Sequence, residues 1–180
     1  MNIVGGDLSR ADKIVVDITV VGFVEKKRLV LRSGAKAKDV IFVTGSLGGS
    51  SGGRHLTFTP RIKEARFLTE NFKVSSMIDI SDGLTQDLSH ILKQSKVGAV
   101  IYENLIPLNK NAPTLKAAIS EGEDFELLFT MSAPEARKLL KNNPFGFRAI
   151  GEVVNKKSGF VLLNQYGNFE FVRARGFRHF

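Results

Sequence analysis

The sequence lacks cysteine altogether, and its 180 residues contain no apolar run long enough for a membrane helix. The first absence excludes disulfide bonds and thiolate metal sites. The second excludes a transmembrane segment, which needs about 20 consecutive apolar residues. The first residues also lack the basic flank and long apolar stretch of a signal peptide. We therefore expect a soluble, cytoplasmic protein with no membrane partner.

The sequence also lacks a dense basic segment, although its formal net charge is +8. A surplus of positive charge suits an anionic partner such as nucleic acid, a membrane surface or phosphorylated metabolites. No single segment, however, interleaves many cations with aromatic residues, as a groove for single-stranded nucleic acid does. The basic residues form scattered groups, at 26–28, 61–63, 138–141 and 173–178. We therefore expect no nucleic-acid partner.

The order of apolar patterns predicts an α/β or α+β fold. Alternating or continuous apolar residues predict strands at 12–24, 29–31, 39–44, 72–75, 97–102, 125–130, 147–154, 160–163 and 169–172. Apolar residues at helical spacing predict helices over 60–72, from Leu84 onward, over 113–120 and over 133–142. This arrangement is typical of a two-layer sandwich. We expect residues from Asp39 onward to form one compact domain, and residues 1–31 to be strands of a different sheet.

The most informative stretch is 76–84, where a predicted strand passes directly into a predicted helix. Asp79 and Asp82 lie at that junction, and Gly83 relaxes the turn. Two carboxylates three residues apart favour a hard cation such as Mg²⁺, and the amides at a helix start favour anions. A bound magnesium ion would in turn hold a polyphosphate. The alternative is that Ser81 or Asp82 only caps the helix, and the spacing alone leaves both interpretations open.

Two further segments are candidates for the same site. The stretch 45–53 is the most glycine-dense, but it lacks the Gly-Lys-Ser/Thr ending of a P-loop and has no GxGxxG spacing. It is either a flexible connector or a loop that faces a ligand. The stretch 121–124 places three carboxylates beside a glycine, which repeats the chemistry of the Asp79–Asp82 turn. The three histidines are too dispersed to suggest a metal site, and we interpret His90 as structural.

Seven short segments, taken together, resemble the thiamine-monophosphate kinase family. They are 5–7 (GGD), 31–35 (LRSGA), 43–48 (VTGSLG), 79–84 (DISDGL), 122–130 (GEDFELLFT), 150–153 (IGEV) and 176–180 (GFRHF). They keep the family's order and span the whole chain. The family belongs to the ATP-dependent superfamily that contains aminoimidazole-ribonucleotide synthetase. The resemblance implies a PurM-like C-terminal α/β domain over 32–180, preceded by strands left from an N-terminal ATP-binding domain over 1–31.

The resemblance also implies a reaction, the transfer of the γ-phosphoryl group of ATP onto thiamine monophosphate to give thiamine diphosphate. The implied magnesium ligands are Asp7, Asp79 and Asp82, of which Asp79 and Asp82 are the catalytic pair. The implied ATP contacts are Gly6, Asp7, Arg32 and Ser81. The implied substrate contacts are Glu123 and Phe177, with Phe177 stacking on a ring of the thiamine cation. For the full-length family the resemblance implies a homodimer.

The sequence departs from the family pattern in several places. Leu8 and Ser9 replace the usual threonines, Gly49 stands where aspartate is common, and Glu121 stands where glycine is common. The chain also begins where the family's N-terminal domain is ending. That domain carries further metal-binding aspartates, part of the ATP site and the dimer-forming sheet, so we expect this portion to be inactive alone. Two alternatives stay open: another enzyme of the superfamily, such as a selenophosphate synthetase or hydrogenase-maturation relative, and a non-catalytic module that binds a partner.

Overall fold

The computed structural model describes residues 2–173, including every side chain among them except that of Ser51. Within them one sheet contains β1 (Asp39–Val43), β2 (Val74–Ile80), β3 (Gly98–Tyr102), β4 (Glu126–Ser132), β5 (Arg148–Val154), β6 (Phe160–Leu163) and β7 (Phe169–Phe171). The α-helices are α1 (Ile62–Asn71), α2 (Leu84–Ser95), α3 (Leu115–Ser120) and α4 (Ala133–Lys141). None of these helices is long and apolar enough to cross a membrane. The predicted α/β class is confirmed.

The sheet has the strand order β2-β4-β1-β5-β3-β6-β7. Neighbouring strands are antiparallel except β3 and β6, which are parallel. Alternation along the strands sends apolar side chains to both faces, because successive residues point to opposite sides. Ile41 and Val43 join one core with α2 and α3, whereas Phe42 between them joins a second core with α1 and α4. Helices therefore cover both faces, which adds a layer to the predicted two-layer arrangement.

Helix α2 shows how the apolar pattern specifies the packing. Leu84, Leu88, Ile91 and Leu92 form the predicted stripe and are all buried. The helix ends at Ser95, and the next residue, Lys96, has a left-handed backbone and donates its N–H to the carbonyl oxygens of Leu92 and Lys93. Burial of one stripe fixes the rotation of α2 about its axis. The first turn of the helix is thereby held at the end of β2.

The N-terminal segment, residues 2–31, contains no β-strand, so the predicted strands at 12–24 and 29–31 are wrong for this structure. Only a short 3₁₀ turn, Lys26–Arg28, is present. The alternating apolar residues are exposed, with Ile14 at 96% and Ile18 at 78%. A strand is stable only where neighbouring strands take up its hydrogen bonds, and the sheet offers this segment one bond, from Met77 N–H to the Leu31 carbonyl oxygen. The division into 1–31 and 32–180 stays a prediction.

Candidate active site at one end of the sheet

The register of the sheet brings three connecting segments together at one end. Strand β4 runs antiparallel to both of its neighbours, β1 and β2. Its first residue, Glu126, therefore lies opposite Ile80, the last residue of β2. Three segments converge at this end, namely 44–53, 81–83 and 121–125. They coincide with the glycine-rich and acidic stretches that the sequence singles out.

Asp79 and Asp82 lie in the connection between β2 and α2, as predicted. Asp79 is exposed near the end of β2, and Asp82 is half-buried in the turn. Gly83 has a φ of 109°, and a Cβ there would lie 2.9 Å from the carbonyl oxygen of Glu121, so the turn requires glycine. Gly83 is also the N-cap residue of α2. Neither Ser81 nor Asp82 therefore occupies the N-cap position itself.

A third aspartate, Asp87, holds this turn from the inside and was not among the predicted site residues. It is 2% exposed, and its Oδ2 accepts hydrogen bonds from the backbone N–H groups of Ser81 and Asp82, both at 3.0 Å. Burial raises the pKa of Asp87 to about 6, and the Asp82 and Asp79 carboxylates act in the same direction, against the backbone bonds. In the sequence, Asp87 could be noticed because it directly precedes Leu88, a member of the apolar stripe of α2. A charge beside buried apolar residues needs a hydrogen-bonding or ionic partner.

The donor atoms around the turn fit the implied magnesium ion. Oxygen atoms of Asp82 and Asp87 and a ring nitrogen of His90 all lie within 4.8 Å of one another. His90 is thus beside the turn rather than remote from it, and its Nε2 lies 3.5 Å from the side-chain nitrogen of Gln86. Neighbouring carboxylates already raise the pKa of Asp87, and a cation would relieve that repulsion. An oxygen-rich donor set is the kind that Mg²⁺ prefers.

A groove of about 530 Å³ along the edge of β2 contains another predicted residue. Residues 30–33 line one side of it, residues 77–79 line the other, and Gln94 of α2 completes it. Arg32, the predicted ATP contact, therefore shares this space with Asp79, the predicted metal ligand. A cationic and an anionic side chain in one groove suit an anionic nucleotide that carries a cation.

Two of the predicted residues are not brought to the turn. Gly6 and Asp7 lie in the exposed segment 2–31, and a Cβ at Gly6 would meet no atom within 4 Å. Neither Asp7 nor Asp79 is part of the group formed by Asp82, Asp87 and His90. Phe177 lies outside the described residues, so its stacking on the substrate stays a prediction.

Glu123, the predicted substrate contact, lies directly beside the acidic turn. Its backbone N–H donates to the carbonyl oxygen of Ser81 at 2.7 Å, and the N–H of Phe125 donates to Ile80 at 2.8 Å. Glu123 and Phe125 both have positive φ, at 64° and 52°. This region costs a non-glycine residue about 1–2 kcal/mol. Surrounding contacts must therefore hold the segment in place.

The glycine-rich loop binds an internal carboxylate. The N–H groups of Gly48 and Gly49 donate to the Asp124 carboxylate over distances of 2.9 to 3.4 Å. Asp124 is 1% exposed, and burial raises its pKa to about 6 in spite of these bonds. At Gly48 φ is 82°, and a Cβ would lie 2.6 Å from the Cα of Ala118. The loop is therefore packed rather than a flexible connector, and two of its amides already serve Asp124.

Beside this loop lies a charged cluster of Arg54, Arg61, Asp124 and Glu126, whose arginines and Glu126 were not predicted as site residues. Glu126 is fully buried and accepts hydrogen bonds from Arg61 Nε at 2.8 Å and Nη2 at 2.6 Å, and from Thr44 Oγ1 at 2.6 Å. Arg54 Nη2 also contacts Glu126, and Arg54 Nη1 lies 3.6 Å from Asp124. The bond to Glu126 raises the pKa of Arg61. The signal of Glu126 in the sequence was a glutamate between the apolar residues Phe125 and Leu127 of the predicted strand 125–130.

Comparison with known proteins assigns the chain to a family. The model of the AIR synthase related protein, C-terminal domain, matches residues 33–164. The chain belongs to this family. Its fold is the PurM-like fold expected from the seven short segments, and the resemblance to thiamine-monophosphate kinases is confirmed by the relatives that follow.

Curated proteins that the chain matches include thiamine-monophosphate kinases. The chain is 37% identical to the thiamine-monophosphate kinase of Rhodopirellula baltica over a gapped alignment of 189 residues. The alignment covers 98% of this chain and 58% of the relative. The chain spans 58% to 65% of the length of such relatives. A solved structure of AaThiL complexed with AMPPCP and TMP aligns with a TM-score of 0.65 and 27% identity, covering 84% of this chain and 54% of the other.

The same fold also occurs in a protein of different function. HypE of E. coli, a hydrogenase maturation protein, aligns with a TM-score of 0.65 over 81% of this chain and 52% of its own. Its sequence identity of 20% shows the fold alone. Function must therefore be argued from the site and not from the fold.

Proposed function

We propose that this chain supplies part of the nucleotide, metal and acceptor sites of a thiamine-monophosphate kinase. The reaction would move the γ-phosphoryl group of ATP onto the phosphate of thiamine monophosphate, giving thiamine diphosphate. The observation that supports it best is the backbone bond from Glu123 to Ser81 at 2.7 Å. This bond holds the segment predicted for the acceptor against the turn predicted for the metal and nucleotide. The relatives' names, and the AMPPCP and TMP held by AaThiL, support the same pair of substrates.

The acidic turn is proposed to carry the metal-dependent part of the chemistry. Asp79 and Asp82 would hold Mg²⁺, together with Asp7 once segment 2–31 reaches the turn. When bound, the ion would neutralise phosphate charge during the transfer. Asp87 keeps the turn in place through its two backbone bonds.

The nucleotide contacts are proposed to be Arg32 and Ser81, with Gly6 supplied by the N-terminal segment. Arg32 shares the groove along β2 with Asp79, so it can bind phosphate oxygens beside the metal ligand. Ser81 lies in the turn itself, and its backbone is fixed on both sides, by Asp87 and by Glu123. A nucleotide held there would have its terminal phosphate beside the acceptor segment.

The acceptor does not require a general base. A phosphate monoester has a second pKa near 6, so its attacking oxygen is largely deprotonated at neutral pH. The main obstacle is repulsion between two anions, which positive charge from the cation and from Arg32 would reduce. Glu123 and Phe177 are proposed to face the thiamine cation, one through its carboxylate and the other by stacking. A homodimer is proposed for the full-length members of the family.

A binding titration tests this proposal. The chain is titrated by calorimetry with thiamine monophosphate and, separately, with ATP in the presence of Mg²⁺. Glu123→Gln should weaken thiamine monophosphate binding by about tenfold or more, because a charged partner is lost. ATP binding should stay unchanged, and the control Glu170→Gln, at an exposed position of β7, should alter neither. If thiamine monophosphate binds no more tightly than inorganic phosphate, the substrate assignment is wrong.

A further inference from the structure

The charged cluster of Arg54, Arg61, Asp124 and Glu126 has no part in the chemistry proposed above. Both carboxylate side chains are fully buried, and the arginine side chains are 19% and 26% exposed. Taking charges out of water is costly, and a buried ion pair often contributes little net stability. The cluster therefore calls for an explanation other than stability alone.

The position of the cluster suggests such an explanation. In the segment 123–126, residues with left-handed backbone alternate with residues whose carboxylates belong to the cluster. Glu123 and Phe125 have positive φ, whereas Asp124 and Glu126 are held by their side chains. Each strained residue thus has an anchored residue directly after it. Strain of this kind persists only where the surroundings over-determine the backbone.

The anchors come from several parts of the fold. Gly48 and Gly49 hold Asp124, and Ser50 Oγ donates to the carbonyl oxygen of Gly122 at 2.6 Å. Arg54 joins this loop to the cluster, since it donates both to the carbonyl oxygen of Ser46 and to Glu126. Arg61, at the start of α1, donates hydrogen bonds to both carboxylate oxygens of Glu126. The two arginines therefore connect the glycine-rich loop and α1 to the segment that carries Glu123.

We propose that Arg61 and Arg54 are positioning residues for the acceptor substrate. They hold Glu126 and Asp124, and thereby keep the segment 123–126 in the conformation in which Glu123 and Phe125 are left-handed. The inference rests on the proposed function for the identity of the substrate. The contacts within the cluster do not depend on that identity.

The geometry also explains why arginine occupies position 61. Its Nε and Nη2 atoms reach the two different oxygens of Glu126, which fixes the carboxylate in orientation as well as position. A lysine keeps the charge but offers a single nitrogen, so it cannot reproduce this two-point contact. Arg61→Lys therefore separates the geometric role from the charge.

The first measurement is amide hydrogen exchange by NMR on the whole chain. Arg61→Met should speed exchange of the Glu123 and Phe125 amides by about tenfold or more relative to the Ala99 amide, which bonds to Gly159 in a distant part of the sheet. Arg61→Lys, which keeps the charge and is expected to fold, should show most of this effect. Arg66→Met, the same change at an exposed position of α1, is the matched control and should show none.

The second measurement is ligand binding by the same variants. Arg61→Lys should weaken thiamine monophosphate binding by about tenfold and leave the affinity for ATP with Mg²⁺ within about twofold. A residue that serves only the fold would weaken both or neither. If the unmodified chain fails to bind thiamine monophosphate, the proposed function loses its support, and the exchange rates still decide the positioning role.

Two results would overturn the proposal. Exchange that accelerates equally at Glu123, Phe125 and Ala99 would mean that the cluster stabilises the fold as a whole. Wild-type exchange and binding in Arg61→Lys would mean that the charge suffices and the two-point contact is irrelevant. The selective change at Glu123 and Phe125, accompanied by selective loss of thiamine monophosphate binding, is the result that supports it.

Discussion

Replacing Asp124 by asparagine should remove part of the protein's dependence of stability on pH. The side chain of Asp124 is fully buried, and its pKa is raised from the ordinary value of 3.8 to about 6. A shift of roughly 2 units corresponds to at most about 3 kcal/mol, at 1.36 kcal/mol per unit. Burial is the main cause, because it disfavours the charged form more than the Gly48 and Gly49 amides favour it.

The sign of the effect follows from proton binding. Between about pH 4 and pH 6 the folded protein retains a proton on Asp124 that the unfolded chain has released. This contribution to stability is therefore fully present below about pH 4 and is lost as the pH rises through about 6. Asparagine does not titrate, so the variant escapes that loss. Asp87, whose pKa is raised in the same way, titrates in both proteins and cancels in the difference.

Urea unfolding at pH 4, 5, 6 and 7.5 measures the effect. Any loss of packing or hydrogen bonding in Asp124→Asn contributes a constant offset to the difference in unfolding free energy. The unfolding free energy of the variant, relative to that of the wild type, should rise by about 2–3 kcal/mol between pH 4 and pH 7.5. Asp12→Asn, the same change at an exposed position, is the matched control. A difference that is flat for Asp124→Asn, or moves towards the wild type, would show that the loop amides outweigh burial and would refute the reasoning.

Three further predictions concern the loop, the substrate and the isolated chain. Gly48→Ala should lower the thermal midpoint much more than Gly53→Ala. The two glycines have similar φ values, 82° and 85°, but only at Gly48 would an added Cβ meet other atoms within 4 Å. Equal losses would contradict the packing argument. In a full-length protein, Phe177→Ala should raise the Michaelis constant for thiamine monophosphate by the equivalent of about 1–2 kcal/mol. The constant for ATP should hardly change, and an equal rise in both would indicate a packing role. Supplied with ATP, Mg²⁺ and thiamine monophosphate, this chain alone should turn over far more slowly than about 1 s⁻¹, because Asp7 is not held beside Asp79; turnover at that rate would show that the site assembles without further protein.

Local patterns in the sequence predicted what depends on local contacts. The stripe of α2 and the turn at Asp79 and Asp82 needed only the spacing of neighbouring residues, and both are present. The strand predicted over 12–24 is wrong because alternation of apolar residues indicates which side chains would share a face of a strand. It does not indicate which neighbouring strand would take up the hydrogen bonds. Hydrogen bonding between strands is non-local, and those residues find no neighbouring strand in this structure.

Side chains that act through distant partners were the ones missed. Arg61 and Glu126 are 65 positions apart in the sequence, and nothing near either residue reveals the other. Asp87 and Glu126 could nevertheless be noticed in the sequence, because each carboxylate lies directly before a leucine of an apolar pattern. Such a position indicates that a partner must exist, because a buried charge without one is too costly. It does not say which residue the partner is.

The left-handed backbone at Glu123 opposes stability to the proposed substrate contact at a single position. Glycine adopts a φ near 64° with no steric cost, and asparagine does so more readily than glutamate. A search for more stable variants would therefore tend to accept glycine or asparagine at position 123 and discard the carboxylate. A residue type that is poorly suited to its backbone conformation is most expected at a functional site, where function outweighs stability. A map of substitutions that raise stability would thus mark the proposed acceptor site before any substrate was added.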